Sequence, residues 1–213
     1  MSQKTILFDL DGTLTDSGEG IMKCAKLALD HYGIEVKEFN DLRVFVGPPL
    51  DLMFMKFGVP ADQTDEAIRI YRSRYLTVGK FENFPYPGIP EMLEKLQNLG
   101  YKLYVATSKP ETTSVEIIEH FGLTKYFNKI CGATMDGTRS SKASVIAYLL
   151  EQNGRDNEII MVGDTAFDVT GAKAHGIPCI GVAWGYGLVE DMEKAGACAI
   201  AHDSGELYEL LIK

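Results

Sequence analysis

One short segment constrains this chain more than any other. The apolar run Thr5-Ile6-Leu7-Phe8 passes directly into Asp9-Leu10-Asp11-Gly12-Thr13. A run this short, apolar throughout rather than alternating, suits a strand covered on both faces, as in a parallel sheet. Side chains alternate along a strand, so Asp9 and Asp11 leave its end on the same side. Two carboxylates held together without a partner pay for mutual repulsion and for desolvation. A hard dication with oxygen ligands removes that cost, and magnesium suits two carboxylates together with a phosphate and waters. Gly12 permits a sharp turn, and Thr13 can offer a hydroxyl and an N–H to an anion.

Further apolar runs repeat the pattern at Leu103-Tyr104-Val105-Ala106, Ile159-Ile160-Met161-Val162 and Ile177-Pro178-Cys179-Ile180-Gly181-Val182. Stretches of helical period lie between them. Ile89, Met92, Leu93, Leu96 and Leu99 form one stripe ahead of Gly100, and Val115, Ile118 and Phe121 form another ahead of Gly122. Residues 141–150 and 166–174 read as helices too. Strand and helix alternating from about residue 88 onward predict an α/β fold, a doubly wound parallel sheet. Residues 17–84 break the rhythm, with helical patterns at 21–32 and 65–77, a Gly47-Pro48-Pro49 turn and no convincing strand. The expected division is an α/β core of residues 1–16 and 85–213, with a small all-helical cap domain of residues 17–84 inserted after the first strand. Such an insert would sit above the carboxyl ends of the strands, where open α/β sheets place their ligands.

A second acidic strand end, Val162-Gly163-Asp164-Thr165-Ala166-Phe167-Asp168, supports the first. Alone, an Asp at the start of a helix can be a cap or a complement to the helix dipole. Beside Asp9 and Asp11 on one rim of a parallel sheet, Asp164 and Asp168 make a metal site the stronger reading.

Composition narrows the partners. Lys and Arg number 21 against 30 Asp and Glu, a formal charge of −9 with no basic block, so nucleic acid and anionic membranes are repelled. An anionic substrate would need a few placed cations and helix ends. The four cysteines form no C-x-x-C pair, and the four histidines show no metal-ligand spacing. Buried thiols in a reducing compartment are expected. The N-terminal Met1-Ser2-Gln3-Lys4-Thr5 lacks a signal-peptide stretch, no segment reaches transmembrane length, and a cytoplasmic protein is expected.

The D-x-D-G-T run at Asp9–Thr13, followed by G-D-x-x-x-D at Gly163–Asp168, resembles the haloacid dehalogenase-like hydrolase superfamily along the whole chain. The resemblance implies a magnesium-dependent phosphatase acting on a small phosphomonoester. Asp9 would be the nucleophile that becomes an aspartyl-phosphate. Asp11 would protonate the leaving oxygen, activate water and give its backbone carbonyl to the metal. Asp164 would be a further metal ligand and Asp168 a water-linked partner of the metal. Thr107, in Ala106-Thr107-Ser108-Lys109-Pro110, would hold the transferring phosphoryl group with the Ser108 N–H. Lys142 would bridge nucleophile and phosphate, although Ala143 stands where the commonest pattern has proline. Lys109 and Arg139 are rival cations, for which the solvated surface is the expected place.

An acid at position 11 favours phosphoryl transfer over carbon–halogen cleavage within this superfamily. The helical insert resembles the branch of phosphoglycolate phosphatases and 5′-nucleotidase-like enzymes. Arg43, in Arg43-Val44-Phe45-Val46-Gly47-Pro48-Pro49-Leu50, would meet a substrate carboxylate or phosphate oxygen, with a surface salt bridge as the alternative. A sugar-phosphate mutase and a non-catalytic phosphate-binding or regulatory protein remain open beside the phosphatase. Hydrolysis on a P-loop is excluded, because no G-x-x-x-x-G-K-[ST] run occurs.

Overall fold

The computed structural model describes residues 4–154 and 158–213, so the expectation about Met1-Ser2-Gln3 lies outside the described residues. The strands are β1 (Lys4–Phe8), β2 (Thr15–Asp16), β3 (Phe84–Pro85), β4 (Lys102–Pro110), β5 (Lys129–Ala133), β6 (Glu158–Gly163), β7 (Cys179–Val182) and β8 (Ala199–Ala201). The helices are α1 (Gly18–His31), α2 (Leu50–Lys56), α3 (Thr64–Tyr75), α4 (Ile89–Asn98), α5 (Glu111–His120), α6 (Lys142–Asn153), α7 (Ala166–Lys173), α8 (Val189–Ala195) and α9 (Ser204–Leu211). Two compact units share them. One holds the chain up to Thr15 and from Pro85 onward, and the other is Asp16–Phe84.

The first unit is a doubly wound parallel sheet in the order β5-β4-β1-β6-β7-β8. Its two faces read directly from the alternation in β1. Ile6 and Phe8 join Leu93 and Leu96 of α4, Ile117 and Ile118 of α5 and Leu207 of α9 in one core. Leu7 points the other way, into a core with Val145, Ile146 and Leu149 of α6, Val169 of α7 and Met192 of α8. Strands apolar on both sides therefore sit between two helical layers, as the uninterrupted apolar runs demand. Winding proceeds outward from β1 in both directions, so β1 and β6 flank the switch point. Ligands of open α/β sheets bind outside the carboxyl ends of the strands at such a point.

The helical patterns at 89–99 and 111–121 form α4 and α5 with shifted faces. Leu99 is 55% exposed, because it caps α4 beyond the last turn that touches the sheet. In α5 the buried set is Thr113, Ser114, Ile117 and Ile118, while Val115 and Phe121 are only half-buried. The small polar Thr113 and Ser114 lie inward where the helix approaches β4 and β5 closely. Of the four free cysteines, Cys24, Cys131 and Cys179 are buried. Cys198 is exposed, contrary to expectation, on the link from α8 to the short edge strand β8.

The unit Asp16–Phe84 is built around helices. Phe45, Phe54 and Tyr71 form its aromatic core, with ring centroids 5.1 Å apart for Phe45 and Phe54 and 6.4 Å for Phe54 and Tyr71. Arg74 of α3 donates two bonds to Glu82, at 2.6 and 2.9 Å, and Lys23 of α1 reaches the same carboxylate at 2.9 Å. Among the described residues no helix is long and apolar enough to cross a membrane.

Candidate active site

The strands β1, β4 and β6 and the helices α6 and α7 each carry or lead into a polar side chain of the site. Asp9 follows β1, and its N–H donates to the Val162 carbonyl of β6 at 2.9 Å, which fixes it between the central strands. Thr107 lies within β4, Asp164 follows β6, and Asp168 occupies the first turn of α7. Lys142 is the first residue of α6, whose start is set by Ser141 accepting from the Ser144 N–H at 3.2 Å. Burial is near complete for Thr107, Lys142, Asp164 and Asp168, while Asp9 keeps 9% exposure.

Lys142 organises the centre. Its Nζ lies 2.7 Å from Asp9 Oδ1 and 2.7 Å from Asp168 Oδ1, and it donates to the Ala106 carbonyl at 2.9 Å. An ammonium has three N–H groups, and these three acceptors match them in number. The other oxygen of Asp168 accepts from the Thr165 N–H and hydroxyl at 3.0 and 2.9 Å, capping α7. The capping reading of Asp168 is thus correct for one oxygen, while the other faces Lys142.

Asp164 is held by backbone rather than by a cation. Its Oδ2 accepts from the Tyr186 N–H at 2.8 Å, and the Thr13 hydroxyl lies 3.5 Å from its Oδ1. Gly12 takes φ +79°, and a Cβ there would fall 2.1 Å from Asp164 Oδ2. Only glycine serves, since both the backbone conformation and the close approach exclude a side chain.

The electrostatics show an excess of acid. Burial pushes the Asp9 carboxyl up to about 6, against the pull of Lys142 and with further help from Asp168. Burial also raises Asp164 well above the ordinary carboxylate range, with the Asp168 and Asp9 charges adding to it. Burial alone would lower Lys142, but Asp168 and Asp9 outweigh it and hold the ammonium charged. Asp9, Asp164 and Asp168 place ligand oxygens within 4.8 Å of one another. Among the described residues Asp9 Oδ1 and Asp168 Oδ1 are buried without an aligned hydrogen bond, even though Lys142 is in contact with both. Three buried carboxylates around one ammonium and a surplus of oxygen acceptors fit a hard divalent cation such as magnesium.

A family model described as haloacid dehalogenase-like hydrolase matches residues 6–182, a span that includes every group named above. The chain is a haloacid dehalogenase-like hydrolase. It is 43% identical to the 5′-nucleotidase of Pseudomonas aeruginosa over 208 residues, covering 97% of this chain and 94% of that protein. It is 40% identical over 202 residues to the tyrosine-protein kinase PtkA of Mycobacterium tuberculosis, covering 94% of this chain and 69% of PtkA. A crystal structure of a predicted phosphatase from Clostridium acetobutylicum superposes with a TM-score of 0.93 at 42% identity, covering 100% of this chain and 99% of that one.

The hydrolase core thus brings together Asp9, Asp11, Thr13, Thr107, Lys142, Asp164 and Asp168 at one end of its sheet. Ser108 is exposed there, so its side chain joins no buried network. Arg43 is exposed in a 3₁₀ turn, Phe39–Phe45, of the helical unit. Two residues expected at the surface are elsewhere. Lys109 is 9% exposed and its Nζ donates to Asp11 Oδ2 at 2.6 Å, because β4 runs on to residue 110 and turns that side chain inward. Arg139 donates to Glu111 at 2.7 Å and to the Gly132 carbonyl at 2.8 Å, with its guanidinium 3.8 Å from the Tyr148 ring centre. Its role is to brace backbone. Sequence reasoning missed the Trp184-Gly185-Tyr186 loop, where the Trp184 indole N–H donates to the Thr13 carbonyl at 3.1 Å. An aromatic pair spaced by glycine directly after a strand was the available signal.

Proposed function

We propose that this hydrolase is a magnesium-dependent phosphatase of small phosphomonoesters, with Asp9 as the nucleophile. The convergence of Asp9, Asp164 and Asp168 around Lys142 carries the reading, since three buried carboxylates share one ammonium and a divalent cation would offset the remaining negative charge and draw a phosphate. Asp9, Asp164 and the Asp11 backbone carbonyl would hold Mg²⁺, with Asp168 supporting. Bound there, the ion would neutralise charge on the phosphoryl oxygens.

Attack by an Asp9 carboxylate oxygen on phosphorus forms one P–O bond and breaks the ester P–O bond. The bonding pair leaves with the ester oxygen, which takes a proton from Asp11. Water then attacks phosphorus and gives its proton to Asp11, and the aspartyl P–O bond breaks with its electron pair returning to Asp9. The net reaction is ester plus water to alcohol plus phosphate. Lys142 keeps Asp9 ionised and oriented, and Thr107 and the Ser108 N–H receive phosphoryl oxygens.

The unit Asp16–Phe84 is assigned the role of a cap that reads the rest of the substrate, with Arg43 as its candidate cation. The resemblance to a 5′-nucleotidase along nearly the whole chain favours a nucleoside 5′-monophosphate ahead of phosphoglycolate. The resemblance to PtkA supports a second reading, in which Asp9 passes its phosphoryl group to an acceptor other than water. The test is phosphate release from a panel of phosphomonoesters, with and without Mg²⁺, by wild type and Asp9→Asn. Metal-dependent release lost in the variant is expected. No release from any ester, with labelled phosphate appearing on an added acceptor instead, would replace hydrolysis with transfer.

A further inference from the structure

The structure divides the two oxygens of Asp11. Oδ2 receives the Lys109 ammonium at 2.6 Å, with the two side chains 15% and 6% exposed. Oδ1 is buried without a hydrogen-bond partner among the described residues. Asp11 stands just past β1, outside the tight Asp9–Asp164–Asp168 cluster, so Lys142 is not what orients it.

Lys109 reaches Asp11 because β4 is irregular. Ala106 pairs with Cys131 and Pro110 with Ala133, so β4 carries two more residues than β5 over this stretch. An irregularity of this kind beside an active site re-aims side chains. The Lys109 N–H donates to the Thr107 hydroxyl at 3.2 Å, which ties the turn to a phosphoryl-facing residue. On the other side, a Cβ at Gly132 would fall 2.5 Å from the Lys109 carbonyl oxygen and 2.7 Å from the Glu111 N. The backbones touch, and Arg139 clamps both Gly132 and Glu111. The irregular stretch is therefore rigidly seated.

We propose that Lys109 is a positioning residue that grips Asp11 Oδ2 so that Oδ1 is presented to the leaving-group oxygen and then to water. This rests on the reading of Asp11 as acid and base in the proposed reaction. A group that must meet a proton at one place in two successive half-reactions gains from having its other oxygen fixed.

Leaving groups distinguish this from simple phosphate binding by Lys109. An alkyl phosphate needs a proton on its departing oxygen, whereas p-nitrophenolate departs from its phosphate ester with little help. The experiment compares kcat/KM for an alkyl and a nitrophenyl ester in wild type, Lys109→Met, Lys109→Arg, Asp11→Asn and the Asp11→Asn/Lys109→Met double variant, with thermal melts as the folding control. Lys109→Met is expected to lose about 10–100-fold on the alkyl ester, part of the roughly 10²–10⁴ available from general acid help, and less than about 5-fold on the nitrophenyl ester. Lys109→Arg should recover part of that loss, and the double variant should be no worse than Asp11→Asn alone. Equal losses on both esters, or losses that multiply in the double variant, would make Lys109 a phosphate ligand and overturn the proposal. An unchanged Lys109→Met would overturn it too. If Lys109→Met does not fold, Lys109→Gln takes its place with the same two criteria. Wild type inactive on both esters would instead refute the phosphatase reading itself.

Discussion

Two of the charge clusters among the described residues differ in which sign is in surplus. In the helical unit one carboxylate, Glu82, collects Arg74 and Lys23, and these cations, Arg74 foremost, hold its pKa down to about 2. In the α/β unit one ammonium, Lys142, serves Asp9 and Asp168 while Asp164 has only backbone and hydroxyl donors, and Asp9 is driven up to about 6 by burial. The first cluster is complete as it stands and braces α1 against α3. The second is deeply buried and short of positive charge, the pattern expected of a site built for chemistry rather than for stability.

Four substitutions and one added ion sharpen or break this contrast. Asp9→Asn should lower turnover by at least about 10³-fold, since Asp9 is the proposed nucleophile and an amide cannot take its place. Its melting temperature in metal-free buffer should hold or rise, because a carboxylate leaves an acid-rich cluster. A large fall in stability would show that Asp9 is structural. Lys142→Met should do the opposite, destabilising the metal-free protein by about 3–5 kcal/mol by leaving Asp9 and Asp168 buried together without a cation. Denaturant unfolding measures this, and a neutral outcome would mean the carboxyls are protonated at rest.

Adding Mg²⁺ to wild type should raise stability by about 2.7 kcal/mol at one hundred times its dissociation constant. Asp164→Asn should remove most of that gain in a thermal-shift assay, and an equal gain in both proteins would move the ion elsewhere. The smallest effect belongs to the complete cluster. Glu82→Gln should cost about 1 kcal/mol or less, because the pair is partly solvent-exposed and screened. Glu82 is depressed from its ordinary 4.5 to about 2, so its contribution is full above 4.5 and fades as pH falls toward 2. Acid titration of the Glu82→Gln variant beside wild type reads this as a stability difference that closes below pH 4.5.

The placement of the strand-end residues of the candidate site was legible because a parallel sheet brings the carboxyl ends of its strands to one rim. Asp9, Thr107 and Asp164 follow apolar runs that form β1, β4 and β6, and each run is visible by its branched and aromatic residues. Strand β5 was not visible, since Lys129-Ile130-Cys131-Gly132-Ala133 has neither a continuous apolar run nor clean alternation. Strand β8 is three residues of small side chains and alanine-flanked isoleucine, and it owes its conformation to pairing with β7. Helix α2 follows a Gly-Pro-Pro turn and is too short for a periodic stripe. Lys109 was misplaced for a related reason. Its inward aim comes from the mismatch between β4 and β5, and an unrecognised β5 hides that mismatch.

Passage of a phosphoryl group through Asp9 is the central step of the proposed reaction. The most direct measurement is rapid acid quench of enzyme turning over a phosphomonoester with Mg²⁺, followed by peptide mass spectrometry, on wild type and Asp11→Asn. A single phosphoryl adduct on Asp9 is the predicted result, more abundant in Asp11→Asn when the ester is p-nitrophenyl phosphate, whose leaving group departs without an acid while water is no longer activated. Full turnover with no adduct in either protein, or an adduct on a residue other than Asp9, would contradict it.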